Sequence, residues 1–179
     1  MRSILLAATA LAVSVLGTAG FARDIAGTPD VDLLRGTPDA DHITGLGGHD
    51  DLMGFGGDDV MEGGDGSDEL FGGAGNDTLQ GGGGDDYLDG RSGDDSLTGG
   101  PGRDIFAFYA RDANRPLDNG SDTITDFAPG EDAILLVGLG VDDIEMRTEG
   151  ADMVIAAPGL VLVTLRGVAE LRPNDLIFR

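Results

Sequence analysis

The chain has no cysteine, no tryptophan and no lysine. Without cysteine, disulfides, zinc–thiolate sites and cysteine nucleophiles are excluded. Aromatic residues make up 5% of the sequence, too few for a dense core. Positive charge is scarce: 11 arginines stand against 33 acidic residues in 179 positions, a formal charge of −22. Binding to nucleic acid needs a surplus of Arg or Lys to neutralise phosphates, so that class is excluded. Catalytic signatures are missing too. No His-Glu-x-x-His marks a zinc protease and no Gly-x-Ser-x-Gly marks a lipase. The two histidines, His42 and His49, read as solvated surface groups without an orienting partner. The segment Arg111–Pro116 reads as a surface loop.

The N-terminus carries one early positive charge, Arg2, then a 13-residue apolar run from Ile4 to Leu16 and a small-residue tail ending at Ala22. That run is shorter than the ~20 residues that span a bilayer. Residues 1–22 therefore read as a cleaved signal peptide rather than an anchor. The expected mature chain begins near residue 23, has no membrane span, and is exported to the extracellular space or the periplasm. With no cysteine it cannot carry a lipoprotein anchor.

What the chain has in abundance is glycine, 32 residues of it, and the glycines keep time. Cut every nine residues from Gly27, the sequence gives nine consecutive blocks over 27–107 without an insertion. The first position is Gly in every block. The sixth is always Asp: Asp32, Asp41, Asp50, Asp59, Asp68, Asp77, Asp86, Asp95 and Asp104. The eighth is always apolar, from Leu34 to Phe106. Gly-rich positions one to four suit a tight turn with exposed carbonyls. Positions seven to nine suit a very short strand whose middle residue faces inward. One block buries almost nothing alone, so stability requires stacking. Two blocks then make one turn of a flattened coil, with strands on opposite faces and Gly-rich turns along opposite edges.

Stacking sets the turns of blocks n and n+2 about 4.8 Å apart. Asp32, Asp50, Asp68, Asp86 and Asp104 then fall in one column, and Asp41, Asp59, Asp77 and Asp95 in the other. Carboxylates that close, away from bulk water, repel unless a cation intervenes. A hard divalent ion with carboxylate and carbonyl ligands resolves the conflict. Calcium tolerates 6–8 irregularly placed oxygens, whereas magnesium demands a tight octahedron, so calcium is the expected cofactor. The acidic pairs Asp50-Asp51, Asp58-Asp59, Asp85-Asp86 and Asp94-Asp95 follow from this phase rather than from a glycosidase carboxylate pair. In each, one member is the sixth-position Asp and the other adds charge to the edge.

The blocks resemble the RTX nonapeptide, Gly-Gly-x-Gly-x-Asp-x-apolar-x, of calcium-binding repeats in bacterial secreted proteases, toxins and lipases. The resemblance implies an all-β fold, a parallel β-roll of nine repeats, with each calcium held between turns two blocks apart. One turn would supply the carbonyls of positions two and four plus its Asp, and the later turn the carbonyls of positions one and three plus its Asp. Carried over, Leu46, Gly48 and Asp50 share an ion with Gly63, Asp65 and Asp68. Phe55, Gly57 and Asp59 meet Gly72, Ala74 and Asp77. Gly64, Gly66 and Asp68 meet Gly81, Gly83 and Asp86; Gly73, Gly75 and Asp77 meet Gly90, Ser92 and Asp95. Gly82, Gly84 and Asp86 meet Gly99, Pro101 and Asp104. That makes about five sites. Asp32 with Asp50 and Asp41 with Asp59 would raise the number to seven. In those first two blocks, however, Pro29 and Pro38 stiffen the turn and Asp30 and Asp39 replace Gly, so they read as an N-terminal cap.

Past residue 107 glycine thins out and β-prone runs appear at 105–109, 122–127, 133–137, 153–156 and 160–165. The passages Gly99–Phe108 and Ser121–Phe127 resemble the region after the repeats in serralysin-type proteases, which implies a capping region of antiparallel strands over 108–179. The ending Asn174–Arg179 resembles the tail of type I-secreted RTX proteins. The expected organisation is signal peptide 1–22, calcium-binding roll 23–107 and capping region 108–179. The expected function is a secreted, non-enzymatic calcium-binding protein, with an extracellular protein or surface as its open partner. The alternative is an accessory or truncated secretion module, related to serralysin-type proteases, that docks onto a separate catalytic partner.

Overall fold

In a computed structural model the described residues are 22–109, 120–157 and 160–179. The expected signal peptide and the Arg111–Pro116 loop lie outside them.

Sixteen strands form among the described residues. They are β1 Asp24–Ala26, β2 Leu33–Arg35, β3 His42–Gly47, β4 Asp51–Gly56, β5 Val60–Asp65, β6 Glu69–Ala74, β7 Thr78–Gly83 and β8 Tyr87–Ser92. Then come β9 Ser96–Thr98, β10 Ile105–Tyr109, β11 Asp122–Ile124, β12 Ala133–Val137, β13 Glu145–Glu149, β14 Asp152–Ala157, β15 Leu160–Leu165 and β16 Leu176–Phe178. From β2 to β10 each strand starts nine residues after the last. From β1 to β12 successive strands alternate between two sheets, ordered β1-β3-β5-β7-β9-β11-β15-β14-β13 and β16-β12-β10-β8-β6-β4-β2. The chain is thus a parallel β-roll whose two sheets face each other across one apolar core. That core is two facing files of eighth-position side chains, Ile43, Met61, Leu79 and Leu97 from one sheet and Leu52, Leu70, Leu88 and Phe106 from the other, each with no exposed surface. It continues in Ile124 and Ile134.

Two local features differ from the sequence reading. The inner strands β3–β8 span six residues, not three, because pairing resumes on the far side of the first-position glycine. Thr44 pairs with Glu62, and after a skip Leu46 pairs with Gly64 and Gly47 with Asp65. The expected antiparallel cap is confined to β13, β14 and β15. The coil itself runs on past residue 107 in parallel register, through β9–β11–β15 and β10–β12–β16. The reason is that the Asp-x-apolar signal persists there, in Asp122-Thr123-Ile124 and Asp132-Ala133-Ile134, so these segments fill the same slots as a repeat.

Candidate metal centre

The turn bends the backbone out of the strand ladder and leaves amide N–H groups without a strand partner, which must be satisfied some other way. The sixth-position aspartates supply acceptors. The Asp32 N–H donates to Asp50 Oδ1 at 2.8 Å, Asp50 to Asp68 at 2.8 Å, Asp68 to Asp86 at 2.9 Å and Asp86 to Asp104 at 3.0 Å. Along the other edge Asp41 donates to Asp59, Asp59 to Asp77 and Asp77 to Asp95, at 2.7–2.8 Å. Each carboxylate therefore reaches down one turn with Oδ1. Its second oxygen is another matter. Oδ2 of Asp50, Asp59, Asp68, Asp77, Asp86, Asp95 and Asp104 is buried with no hydrogen-bond partner.

These orphaned oxygens lie beside the first-position glycine of their own block, where a carbonyl from two blocks on also arrives. A Cβ built on Gly45 would run into both Asp50 Oδ2 and the Gly63 carbonyl oxygen. The same pairing of oxygens recurs at Gly54, from Asp59 and the Gly72 carbonyl, and at Gly63, from Asp68 and the Gly81 carbonyl. It recurs again at Gly72, from Asp77 and the Gly90 carbonyl, and at Gly81, from Asp86 and the Gly99 carbonyl. Glycine is invariant here for room, not for torsional freedom, since positive φ falls at positions two and four. The need for positive φ at position two is strong enough that Leu46 (φ 82°), Phe55 (φ 77°) and Arg91 (φ 76°) adopt it without being glycine.

The carboxyls of these aspartates hold their protons above the usual carboxylate range. Asp77, Asp86 and Asp95 are pushed up to about 7, and Asp59 and Asp104 to about 6. Burial is the main cause; backbone N–H donation opposes it and neighbouring carboxylates reinforce it. Asp50 and Asp68 are raised as well, again mainly by burial.

The other expected ligands fall on the same seams. The carbonyls of Leu46, Phe55, Gly64, Gly82, Gly48, Gly57, Gly66, Gly75 and Gly84 face the matching glycine two blocks on. Third-position carbonyls already accept a bond from the turn below, as Gly48 N–H to Asp65 O at 2.8 Å and Gly75 N–H to Ser92 O at 2.9 Å show. A carbonyl keeps a second lone pair for another partner. Among the described residues no group of three or more His, Asp or Glu side chains is placed to hold a metal. Any ion between turns must therefore draw on two carboxylates and on backbone oxygens, a donor set that suits calcium and not zinc.

The first two blocks differ. Asp32 Oδ2 accepts from the Thr28 N–H at 2.5 Å and the Thr28 hydroxyl at 2.9 Å, and Asp41 Oδ2 accepts from the Thr37 N–H. Those oxygens are satisfied by protein.

Residues 27–61, 53–88 and 71–106 match the model of the RTX calcium-binding nonapeptide repeat. Over residues 27–106 the coil is made of RTX repeats. Among solved structures, the extracellular lipase LipA of Serratia marcescens is similar at 18% identity and TM-score 0.48, over 91% of this chain. The chain spans 41% of that lipase's length. The AlgE6R2 and AlgE6R3 subunits of the Azotobacter vinelandii mannuronan C5-epimerase are similar at 28% and 25% identity, with TM-scores of 0.35 and 0.29. The matches cover 86% and 84% of this chain and 91% and 80% of those subunits. No curated protein matches the chain.

The aspartate ladder outlasts the RTX blocks, which the nine-residue count does not reveal. Asp95 N–H donates to Asp122 Oδ1 at 2.9 Å and Asp104 N–H to Asp132 Oδ1 at 3.1 Å. Asp126 accepts from the Gly99 and Gly100 amides at 3.0 and 2.8 Å. Asp175 accepts from Gly130 and Arg172 at 2.9 and 2.5 Å and closes the column. The legible signal was Asp two residues before a buried Ile, in Asp122–Ile124 and Asp132–Ile134; the changed spacing hid it. His42 stays exposed, its Nδ1 3.5 Å from Asp24 Oδ1. His49 is not simply solvated, because its Nδ1 accepts the Ser67 N–H at 2.9 Å.

Proposed function

We propose that the protein is a secreted, non-enzymatic calcium-binding β-roll that orders when calcium enters the seams between its stacked turns. The observation that supports this most is the row of buried, unpartnered Oδ2 atoms, those of Asp50, Asp59, Asp68, Asp77 and Asp86 each beside a backbone carbonyl oxygen. Such an arrangement is unfavourable until a proton or a cation comes between the oxygens. When bound, calcium supplies that positive charge and accepts both oxygen types.

The five turn pairs from Asp50/Asp68 to Asp86/Asp104 are the proposed sites, with Leu46 and Phe55 contributing carbonyls in place of glycine. Asp32 and Asp41 serve the N-terminal end as structural acceptors, since Thr28 and Thr37 already satisfy them. Export follows from the pattern of residues 1–22, and it gives the metal dependence a use. Sites of the extracellular type bind at ~10⁻⁴–10⁻³ M, so a Gly-rich, strongly acidic chain would stay unfolded in calcium-poor cytosol and order outside. Binding to the folded state alone then stabilises it by mass action.

Far-UV circular dichroism of the mature chain in EGTA and then in millimolar calcium tests the reading. A gain of β signal on adding calcium, and not on adding equal magnesium, is expected. A chelated chain as ordered as the loaded one overturns it. Turnover of a protein, lipid or glycan substrate by the purified chain would overturn the non-enzymatic part alone.

A further inference from the structure

The residue before each aspartate varies freely in the sequence, yet it is not idle in the structure. On one edge the Asn76 N–H donates to Asp58 Oδ1 at 2.8 Å, the Asp94 N–H to Asn76 Oδ1 at 2.9 Å and the Ser121 N–H to Asp94 Oδ1 at 2.7 Å. On the other, the Ser67 N–H donates to His49 Nδ1 at 2.9 Å, the Asp85 N–H to Ser67 Oγ at 3.2 Å and the Arg103 N–H to Asp85 Oδ1 at 3.0 Å. Side chains as different as His, Ser, Asn and Asp share one property here, an acceptor atom one or two bonds beyond Cβ. The direction is opposite to that of the aspartate ladder. At position five the upper turn donates to a side chain below, whereas at position six the lower turn donates to a side chain above. Every seam of this kind is clipped by two crossed bonds at adjacent peptides, one from each turn.

We infer that the fifth-position side chains are positioning residues for the cation sites, fixing the height and register of each ligand turn on the one below. The reasoning is geometric. A sixth-position carboxylate can aim Oδ2 into the seam only if its own backbone is held, and the peptide just before it is the one the fifth-position acceptor pins. The clip involves no ligand atom, so it acts through the aspartate rather than on the ion. It also crosses the end of the regular blocks: Asp94 pins Ser121 next to Asp122 although nine extra residues intervene, 27 positions instead of 18. The other reading of these positions is electrostatic enrichment, and Asn76, Ser67 and His49 argue against it, since they bring no negative charge.

This inference rests on the calcium reading above, and one experiment separates their failures. Two variants of the full mature chain are titrated with calcium by circular dichroism. Asp58→Ala/Asn76→Ala/Asp94→Ala removes three acceptors on one edge, and Asp58→Asn/Asp94→Asn removes the same two charges while keeping every acceptor. The alanine variant is expected to need about tenfold more calcium at the midpoint, three weak hydrogen bonds compounding, with an unchanged plateau at saturation. The asparagine variant is expected within about twofold of wild type. Equal shifts in both variants would establish charge as the cause and overturn the inference, as would no shift in either. Urea unfolding in which the alanine variant loses the same stability without calcium at pH 4.5 as in saturating calcium would mean a merely structural role and overturn it too. Should the alanine variant never order while the asparagine variant orders like wild type, the acceptors are the only difference and the inference stands. A wild-type chain indifferent to calcium sinks the calcium reading first and this one with it.

Discussion

The two ends of the roll and its middle carry the same aspartate ladder and treat the second carboxylate oxygen in opposite ways. At the N-terminal end Thr28 and Thr37 donate to Oδ2 of Asp32 and Asp41, and at the C-terminal end Ala128 and Arg172 donate to Oδ2 of Asp132 and Asp175. From Asp50 to Asp104 that oxygen has no donor at all. Burial alone does not explain the contrast, because Asp32 and Asp132 are also buried. The difference lies in the turn. Both kinds of turn set a carbonyl from two blocks on beside the first-position glycine, but Gly-Thr-Pro-Asp also brings the threonine amide (and at Thr28 the hydroxyl) to the carboxylate, whereas the Gly-rich turn brings no donor. The protein completes its own seams where the coil begins and ends, and leaves the interior oxygens without a donor, where the proposed cations would sit.

The largest expected effect of breaking that contrast is calcium removal. With EGTA the interior should lose amide protection while 23–44 and the C-terminal strands keep more of it, measured by hydrogen exchange with mass spectrometry. Uniform loss over all segments would show that the ends gain nothing from their own donors. Acid should partly replace the metal. For Asp77, Asp86 and Asp95 the folded pKa is about 7 against 3.8 ordinarily, so the folded form holds the proton more tightly. The stability these groups contribute without calcium is fully present below about pH 4 and is lost as pH rises through about 7. A chelated chain should therefore show more β signal at pH 4.5 than at pH 8. With calcium the trend reverses, since the ion must displace those protons and binds more tightly as pH rises.

Much of this was legible in the sequence because three positions of the block do not vary. Gly at one, Asp at six and an apolar residue at eight gave the coil, the core files and the carboxylate columns. What was hidden depends on which way a peptide faces. Nothing in the sequence says that Oδ1 of Asp68 is committed to the Asp50 amide while Oδ2 is left over. The length of β3–β8 was hidden because glycine reads as a turn even where its backbone pairs. Asp122, Asp132 and Asp175 were hidden because extra residues between turns destroy the count without disturbing the stack.

Single carboxylates come next in size. Asp68→Ala strips an acceptor from the Asp50 amide and an oxygen from the seam above, so two ions should weaken. Asp104→Ala, at the last of the five pairs, should weaken one, with stoichiometry read by calorimetry. Asp32→Ala removes a carboxylate that Thr28 already satisfies. It should cost about 1 kcal/mol of stability at any calcium concentration and leave the number of ions unchanged. Equal losses of calcium for Asp68→Ala and Asp32→Ala would erase the distinction between end and middle.

The smallest change sharpens the comparison most. Gly64→Thr/Asp65→Pro/Gly66→Asp rewrites one interior turn as Gly-Thr-Pro-Asp, the sequence of the first two blocks. Threonine at 64 would bring a hydroxyl toward Asp68 Oδ2, as Thr28 does for Asp32, and give that oxygen a protein donor. The turn must also give up positive φ at 64 and 66, where Gly64 stands at 113° and Gly66 at 149°. Thr28 and Asp30 make the same turn without positive φ, so the backbone has a known way to do it. The variant should bind one calcium fewer in the Asp68/Asp86 seam, and its chelated form should gain protection around residues 63–70. A variant that binds the full complement would mean that the cation, not the missing donor, decides how this turn is built.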